Sequence, residues 1–167
     1  MAEYVTDFGS LDDYEKGGVE VINDDPRNYA FSNVFEVASQ AKPWEKVAVG
    51  KNMEYVLEVI RAEGTSPWRT ADHDESALVM DGEVRVELVK LDAPAVGEGK
   101  AGSAALEGEP QGTPMGRITA RHGHQVLLPA KAAYRLVADR PAVILLQTIR
   151  GDDTVERWAQ ICQTHSR

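Results

Sequence analysis

The sequence predicts a mainly β fold, a small barrel carrying an N-terminal arm and a C-terminal helix. Three observations carry that prediction. Trp68 to Gly82 reads WRTADHDESALVMDG and continues as EVRVELV, so Val79, Met80, Val84, Val86 and Leu88 surround one glycine with an alternating apolar pattern. Asp81-Gly82 between two such segments is a strong hairpin signal. A second alternating run lies at Met53 to Arg61, and a third, Gly123 to Tyr134, reads GHQVLLPAKAAY. The predicted division is 1–28 as an extended acidic arm, 29–150 as the barrel with 92–115 an inserted loop, and 151–167 as helix and tail.

The 167 residues, 43% of them hydrophobic, suffice for one domain with a sizeable core. A formal charge of −9 and a pI near 4.9 exclude general affinity for nucleic-acid backbones or anionic lipid surfaces. No apolar run reaches the roughly 20 residues of a membrane helix, and the N-terminus lacks signal-peptide features. A single cysteine, Cys162, forms no intramolecular disulfide, and a cytoplasmic location is expected. Cys162 reads as a small buried hydrophobe on the last helix.

In chain order, Met1 to Arg27 is acidic yet carries Tyr4, Val5, Phe8, Leu11, Tyr14, Val19, Val21 and Ile22, more than a solvated tail requires. It is expected to order along a partner chain. Phe31, Val34, Phe35, Val37 and Ala38 have helical spacing, with Ser32 as cap and Lys42-Pro43 as stop. Lys46 to Val49 and Met53 to Arg61 read as strands, the second setting Tyr55, Leu57 and Val59 on one face against Val56, Glu58 and Ile60. Gly64 to Pro67 ends it.

Asp92 to Met115 is rich in Gly, Ala, Pro, Glu and Ser without either period, hence a connection that is mobile or held by another surface. Arg117–Arg121, Gln125–Leu128, Ala133–Ala138 and Val143–Ile149 are four further strands, closed by Pro129 and Pro141. Asp153, three residues before Glu156, is a capping-box signature for a helix whose stripe is Val155, Trp158, Ile161 and Cys162.

His73 and Glu75 are two apart and share one face of an extended segment. With His122 and His124 they are the credible metal ligands, a 2-His-1-carboxylate set of the non-haem iron type. His122 and His124 read equally as surface turn residues. His73, between Asp72 and Asp74, suits an interface cation. Trp68-Arg69 is either a substrate-entrance or interface pair at a barrel mouth, or Trp68 plugs the barrel end. The sequence lacks GxSxG, any recognisable Cys/His pairing, and GxxxxGK[ST], which leaves nucleophilic catalysis and phosphate loops without support.

Glu75 with Gly82, and Gly123 with Pro129, match the spacing of the two cupin motifs, and the chain resembles that superfamily. The resemblance implies a double-stranded β-helix, the jelly-roll barrel. Counting back from Glu75, the family's histidines fall on Trp68 and Thr70, or on Arg69 and Ala71; the second motif's histidine falls on Tyr134, and Lys131 stands where glycine is preferred. The resemblance therefore implies a lost metal site on a face formed by Thr70, Glu75 and Tyr134. A carboxylate left there needs compensation, so a Glu75–Tyr134 hydrogen bond or an Arg69–Glu75 ion pair is expected.

The stretches SNVFEVASQAKPWEKVAVGKNMEYVLEVIRAEG, ADHDESALVMDGEV, MGRITARHGHQVLLPAKAAYRL and VERWAQIC resemble the small subunit of two-component hydroquinone 1,2-dioxygenases. That resemblance implies an α2β2 heterotetramer in which a larger cupin subunit holds Fe(II) and opens hydroquinone-like phenols with O2 to 4-hydroxymuconic semialdehyde, in 4-nitrophenol degradation. No residue of this chain would then be catalytic, and the arm and insertion are the expected contacts. The alternatives are a stand-alone metal-free cupin that binds or regulates, and an active mononuclear dioxygenase or isomerase.

Overall fold

A computed structural model describes residues 9–25 and 31–161. The helix α1 spans Val34–Gln40, and its cap is Asn33 rather than Ser32: the Asn33 side-chain oxygen Oδ1 accepts the Phe35 N–H at 2.8 Å. Ten strands follow: β1 Lys46–Asn52, β2 Tyr55–Thr65, β3 Arg69–Ala71, β4 Glu75–Asp81, β5 Glu83–Leu91, β6 Ser103–Ala105, β7 Gly112–Arg121, β8 Gln125–Leu128, β9 Ala132–Ile149 and β10 Thr154–Val155. The last helix, α2, covers Trp158–Ile161. Among the described residues no helix is long and apolar enough to cross a membrane.

The sheet curls on itself because β9 belongs to both walls. Its second half pairs with β4 and most of β2, its first half with β3, β5 and the last residues of β2. One wall runs β10-β1-β2-β9-β4-β8, the other β6-β3-β9-β5-β7. Pro141 therefore does not end a strand. Residues 139–141 drop out of the pairing with β2, between Ala138↔Gly64 and Ala142↔Ala62, and the chain turns the corner there.

The predicted hairpin at Asp81-Gly82 is corrected in the same way. β4 and β5 lie in opposite walls, each against a different half of β9. Gly82 is a corner with φ of 75°, and a Cβ there would stand 2.7 Å from Ala142 Cβ. The alternating pattern identified both strands, but such a pattern does not say which strand is the neighbour.

The barrel interior is filled by Ile60, Val79, Val84, Val86, Leu128, Leu136, Ile144 and Leu146 with their neighbours. On the outer face of the first wall, Phe35 and Val37 of α1, Ile161 of α2, and Leu11 and Tyr14 of the arm pack over Val47, Val59 and Val143. The described part of the arm thus packs on its own chain. Leu11 N–H donates to Asp81 Oδ2 at 2.8 Å, and Lys16 pairs with Glu36 at 2.7 Å. Residues 1–8, with Tyr4, Val5 and Phe8, and Cys162 lie outside the described residues.

The predicted loop 92–115 is partly strand. β6 pairs with β3 through Arg69↔Ala105 and Ala71↔Ser103, and β7 begins at Gly112. This chain's own barrel holds the segment. The predicted cap at Asp153 is also replaced: Thr154 and Val155 pair in parallel with Lys46 and Val47, and the Asp153 carboxylate is drawn to two cations. Glu156 instead binds Lys51 and Arg150.

Candidate functional site

Alternation along paired strands decides which side chains meet. Arg69 lies opposite Tyr134, and Thr70 opposite Ala133. Arg69 and Tyr134 accordingly line a small cavity of about 60 Å³, together with Lys46, Trp44 and Leu128. Thr70, expected on that face, is off it; its hydroxyl donates to the Ala132 carbonyl at 2.8 Å.

The hydrogen bond expected between Glu75 and Tyr134 is present. The Tyr134 hydroxyl donates to Glu75 Oε2 at 2.7 Å, and the Thr148 hydroxyl donates to Oε1 at 2.7 Å. Both carboxylate oxygens are thereby engaged by groups that need no metal. His73 Nε2 lies 3.0 Å from Thr148 Oγ1, which extends the chain of contacts toward the outside. Burial, and next the Glu75 carboxylate, push the Tyr134 phenol well above its ordinary value.

The Arg69–Glu75 ion pair does not form. Arg69 instead donates from Nε to Ser103 Oγ at 2.9 Å, and from Nη2 to the Ser103 carbonyl at 3.1 Å and to Asp153. Lys46 meets the same groups, Ser103 Oγ at 3.2 Å and Asp153 Oδ1 at 3.3 Å, and pairs with Glu58 Oε2 at 3.3 Å. Side chains of Lys46 and Glu58 are 4% and 0% exposed, so this ion pair is fully inside. Desolvation raises the Glu58 carboxyl, against the pull of Lys46 and the Thr154 hydroxyl at 2.6 Å. Asp153, although burial pushes it up, is held below its ordinary value by Lys46 and then Arg69.

Lys46, Glu58, Ser103, Asp153 and Thr148 are the members that sequence reasoning missed. One signal was available: Glu58 shares a strand face with Val56 and Ile60, an odd place for a lone carboxylate. Nothing local marked Ser103 or Asp153, which arrive from 34 and 84 residues away from Arg69.

Trp68 faces the other way from Arg69, so the two do not act as a pair. It is 8% exposed on the outer side of the second wall, against Val89 and Ala133, and neither lies bare at a mouth nor plugs the barrel. Its indole N–H donates to Glu109 at 2.9 Å, and the Arg135 guanidinium lies 4.6 Å from its ring centroid. Arg135 in turn holds Glu87 at 2.7 Å, which keeps that carboxyl below its ordinary range.

The metal set His73, Glu75, His122 and His124 does not converge, and among the described residues no group of three or more His, Cys, Asp and Glu side chains does. His122 and His124 are exposed in the turn between β7 and β8, where His124 Nδ1 accepts the Arg121 N–H at 2.8 Å. None of Trp68, Arg69, Thr70, Ala71 and Tyr134, the residues onto which the motif spacings project the histidines, is a histidine, and Glu75 has both oxygens engaged. These residues do not fit a metal of the family's kind.

Comparison with solved structures decides the family. Over 98% of its length the chain is 55% identical, with a TM-score of 0.94, to a chain of hydroquinone 1,2-dioxygenase PnpCD in complex with Cd2+ and 4-hydroxybenzonitrile, of which it covers 99%. It is 56% identical, with a TM-score of 0.95, to a chain of hydroquinone 1,2-dioxygenase from Sphingomonas sp. TTNP3 with 4-hydroxybenzoate bound, covering 98% of this chain and 100% of that one. The chain belongs to the hydroquinone 1,2-dioxygenase family. A further chain, of PnpCD in complex with Fe3+, shares the fold at 15% identity and a TM-score of 0.62, matching 83% of this chain but 39% of its own length. Chains of two lengths thus occur under the PnpCD name, and this protein corresponds to the short one. No protein-family model and no curated protein matches the sequence.

Proposed function

We propose that this hydroquinone 1,2-dioxygenase chain is the accessory small subunit, and that the ring-opening chemistry belongs to a larger cupin chain carrying Fe(II). The observation that carries this reading is the state of Glu75. The one carboxylate left at a cupin ligand position is capped on both oxygens by Tyr134 and Thr148, and a cation, Arg69, which one of the two motif registers sets at a histidine position, lies opposite Tyr134. A positive side chain there repels a second cation rather than recruiting one.

Iron in the larger chain supplies the activation of O2 and of the deprotonated diol, and the product expected is 4-hydroxymuconic semialdehyde. This chain contributes a barrel in which Glu75 is engaged by Tyr134 and Thr148, while Lys46 and Arg69 are tied to Asp153 and Ser103. Its part in an α2β2 assembly is structural, with contacts to the larger chain that hold the entrance in shape.

The test is iron per chain together with hydroquinone turnover, measured on the co-expressed pair and on this chain purified by itself. Iron and turnover are expected only with the pair. Stoichiometric iron and ring opening by the isolated chain would overturn the reading.

A further inference from the structure

We infer that the uncovered half of the first wall's outer face is the surface on which the larger cupin chain docks, an inference that rests on the small-subunit reading above. The register lays an outward row across four strands: Leu57 of β2 opposite Gln147 of β9, Gln147 opposite Ser76 of β4, and Ser76 opposite Leu127 of β8. The adjoining row pairs Tyr55 with Ile149. Three of the seven exposed large hydrophobics among the described residues lie here, namely Tyr55 at 59%, Leu127 at 57% and Leu57 at 40%. The apolar side chains stand at the two ends of this row with the polar Gln147 and Ser76 between them, and exposed apolar groups interleaved with polar ones are the composition of a non-obligate interface.

The patch continues a surface that is already an interface within the chain. Two residues along β2, Val59 is completely covered by the cluster that α1, α2 and the arm build with Val47 and Val143. The own-chain cover stops there, while the apolar strand face runs on to Leu57 and Tyr55. Between Tyr55 and Leu127 lies a depression of about 390 Å³ with His73 and Thr148 in its lining, large enough to take one protruding side chain of a partner. Such a pocket with an apolar rim and a polar base suits an aromatic or arginine anchor.

A second copy of this chain is the poorer occupant, because two molecules of charge −9 would be brought together. The larger chain is supported by the family itself, in which a short and a long cupin chain occur under one enzyme name.

The experiment co-expresses the tagged chain with its host's larger cupin chain and compares Leu57→Asp and Leu127→Asp with Met115→Asp and Ile118→Asp on β7. Recovery of the larger chain is expected to fall about tenfold or more for the first pair and to hold for the second. Far-UV circular dichroism and melting of each isolated variant should match wild type, since the replaced side chains are exposed. A photo-cross-linking amino acid at position 55 should attach to the larger chain. Wild-type recovery with Leu57→Asp and Leu127→Asp overturns the inference, as do cross-links formed only at position 118 or only between two copies of this chain. Failure of the wild-type chain to recover any larger chain overturns instead the small-subunit reading on which the inference stands.

Discussion

Tyr134 shows how one side chain can settle a buried carboxylate. Its hydroxyl satisfies a buried carboxylate that would otherwise need a cation, and Tyr134→Phe leaves that oxygen without its donor. The substitution is expected to lower unfolding free energy by about 2 kcal/mol, read from urea denaturation. It should also change the response to alkali. Burial and Glu75 keep the folded phenol protonated well above 10.0, whereas an unfolded tyrosine loses its proton near that value. Above pH 10 the unfolded chain therefore binds fewer protons than the folded one, and stability falls as pH rises; below it the contribution is fully present. Tyr134→Phe should flatten that fall, and parallel melting curves for the two proteins between neutral pH and the alkaline range would refute the assignment. At this scale the sequence was informative in part: the motif spacing brought Tyr134 to Glu75, whereas the second donor, Thr148, comes from 73 residues away and carried no local signal.

At the scale of elements, the insertion and the C-terminal segment act as one clasp. Ser103 of β6 and Asp153 before β10 both hold Lys46 and Arg69, and their backbones touch: a Cβ on Gly102 would stand 2.5 Å from Gly151 Cα. Gly102 also has φ of 69°, a conformation that side chains resist. Gly102→Ala is expected to force the clasp apart and lower the melting temperature by several degrees, about 1–3 kcal/mol, while Gly97→Ala, with open space around it, should be nearly silent. Equal melting of the two variants would remove the clasp. Neither its members nor the corner at Gly82 were legible in the sequence. Strand patterns report which face is apolar, and they carry no information on pairing between segments far apart in the chain.

On the scale of the molecule, the arm belongs to the fold before it belongs to any complex. Leu11 and Tyr14 join the cluster under α1, and Tyr14 lies 6.5 Å from the Phe35 ring. Removing residues 1–16 should destabilise the isolated chain by about 2 kcal/mol from lost apolar burial, visible in a thermal melt without any partner. An unchanged melt, with loss appearing only in the complex, would restore the arm to the partner. The same arm accounts for the asymmetry of the first wall, covered on one half of its outer face and bare on the other.

The sequence by itself determined the β class and the cupin framework through Glu75, Gly82, Gly123 and Pro129, because each depends on residue type at short spacing. Only the tertiary structure decided that Arg69 faces the cavity while Trp68 faces away, that Asp153 serves Lys46 rather than a helix end, and that β4 and β5 part at Gly82. Those outcomes depend on which strands become neighbours, and that choice is made by packing around β9, across separations no local pattern spans.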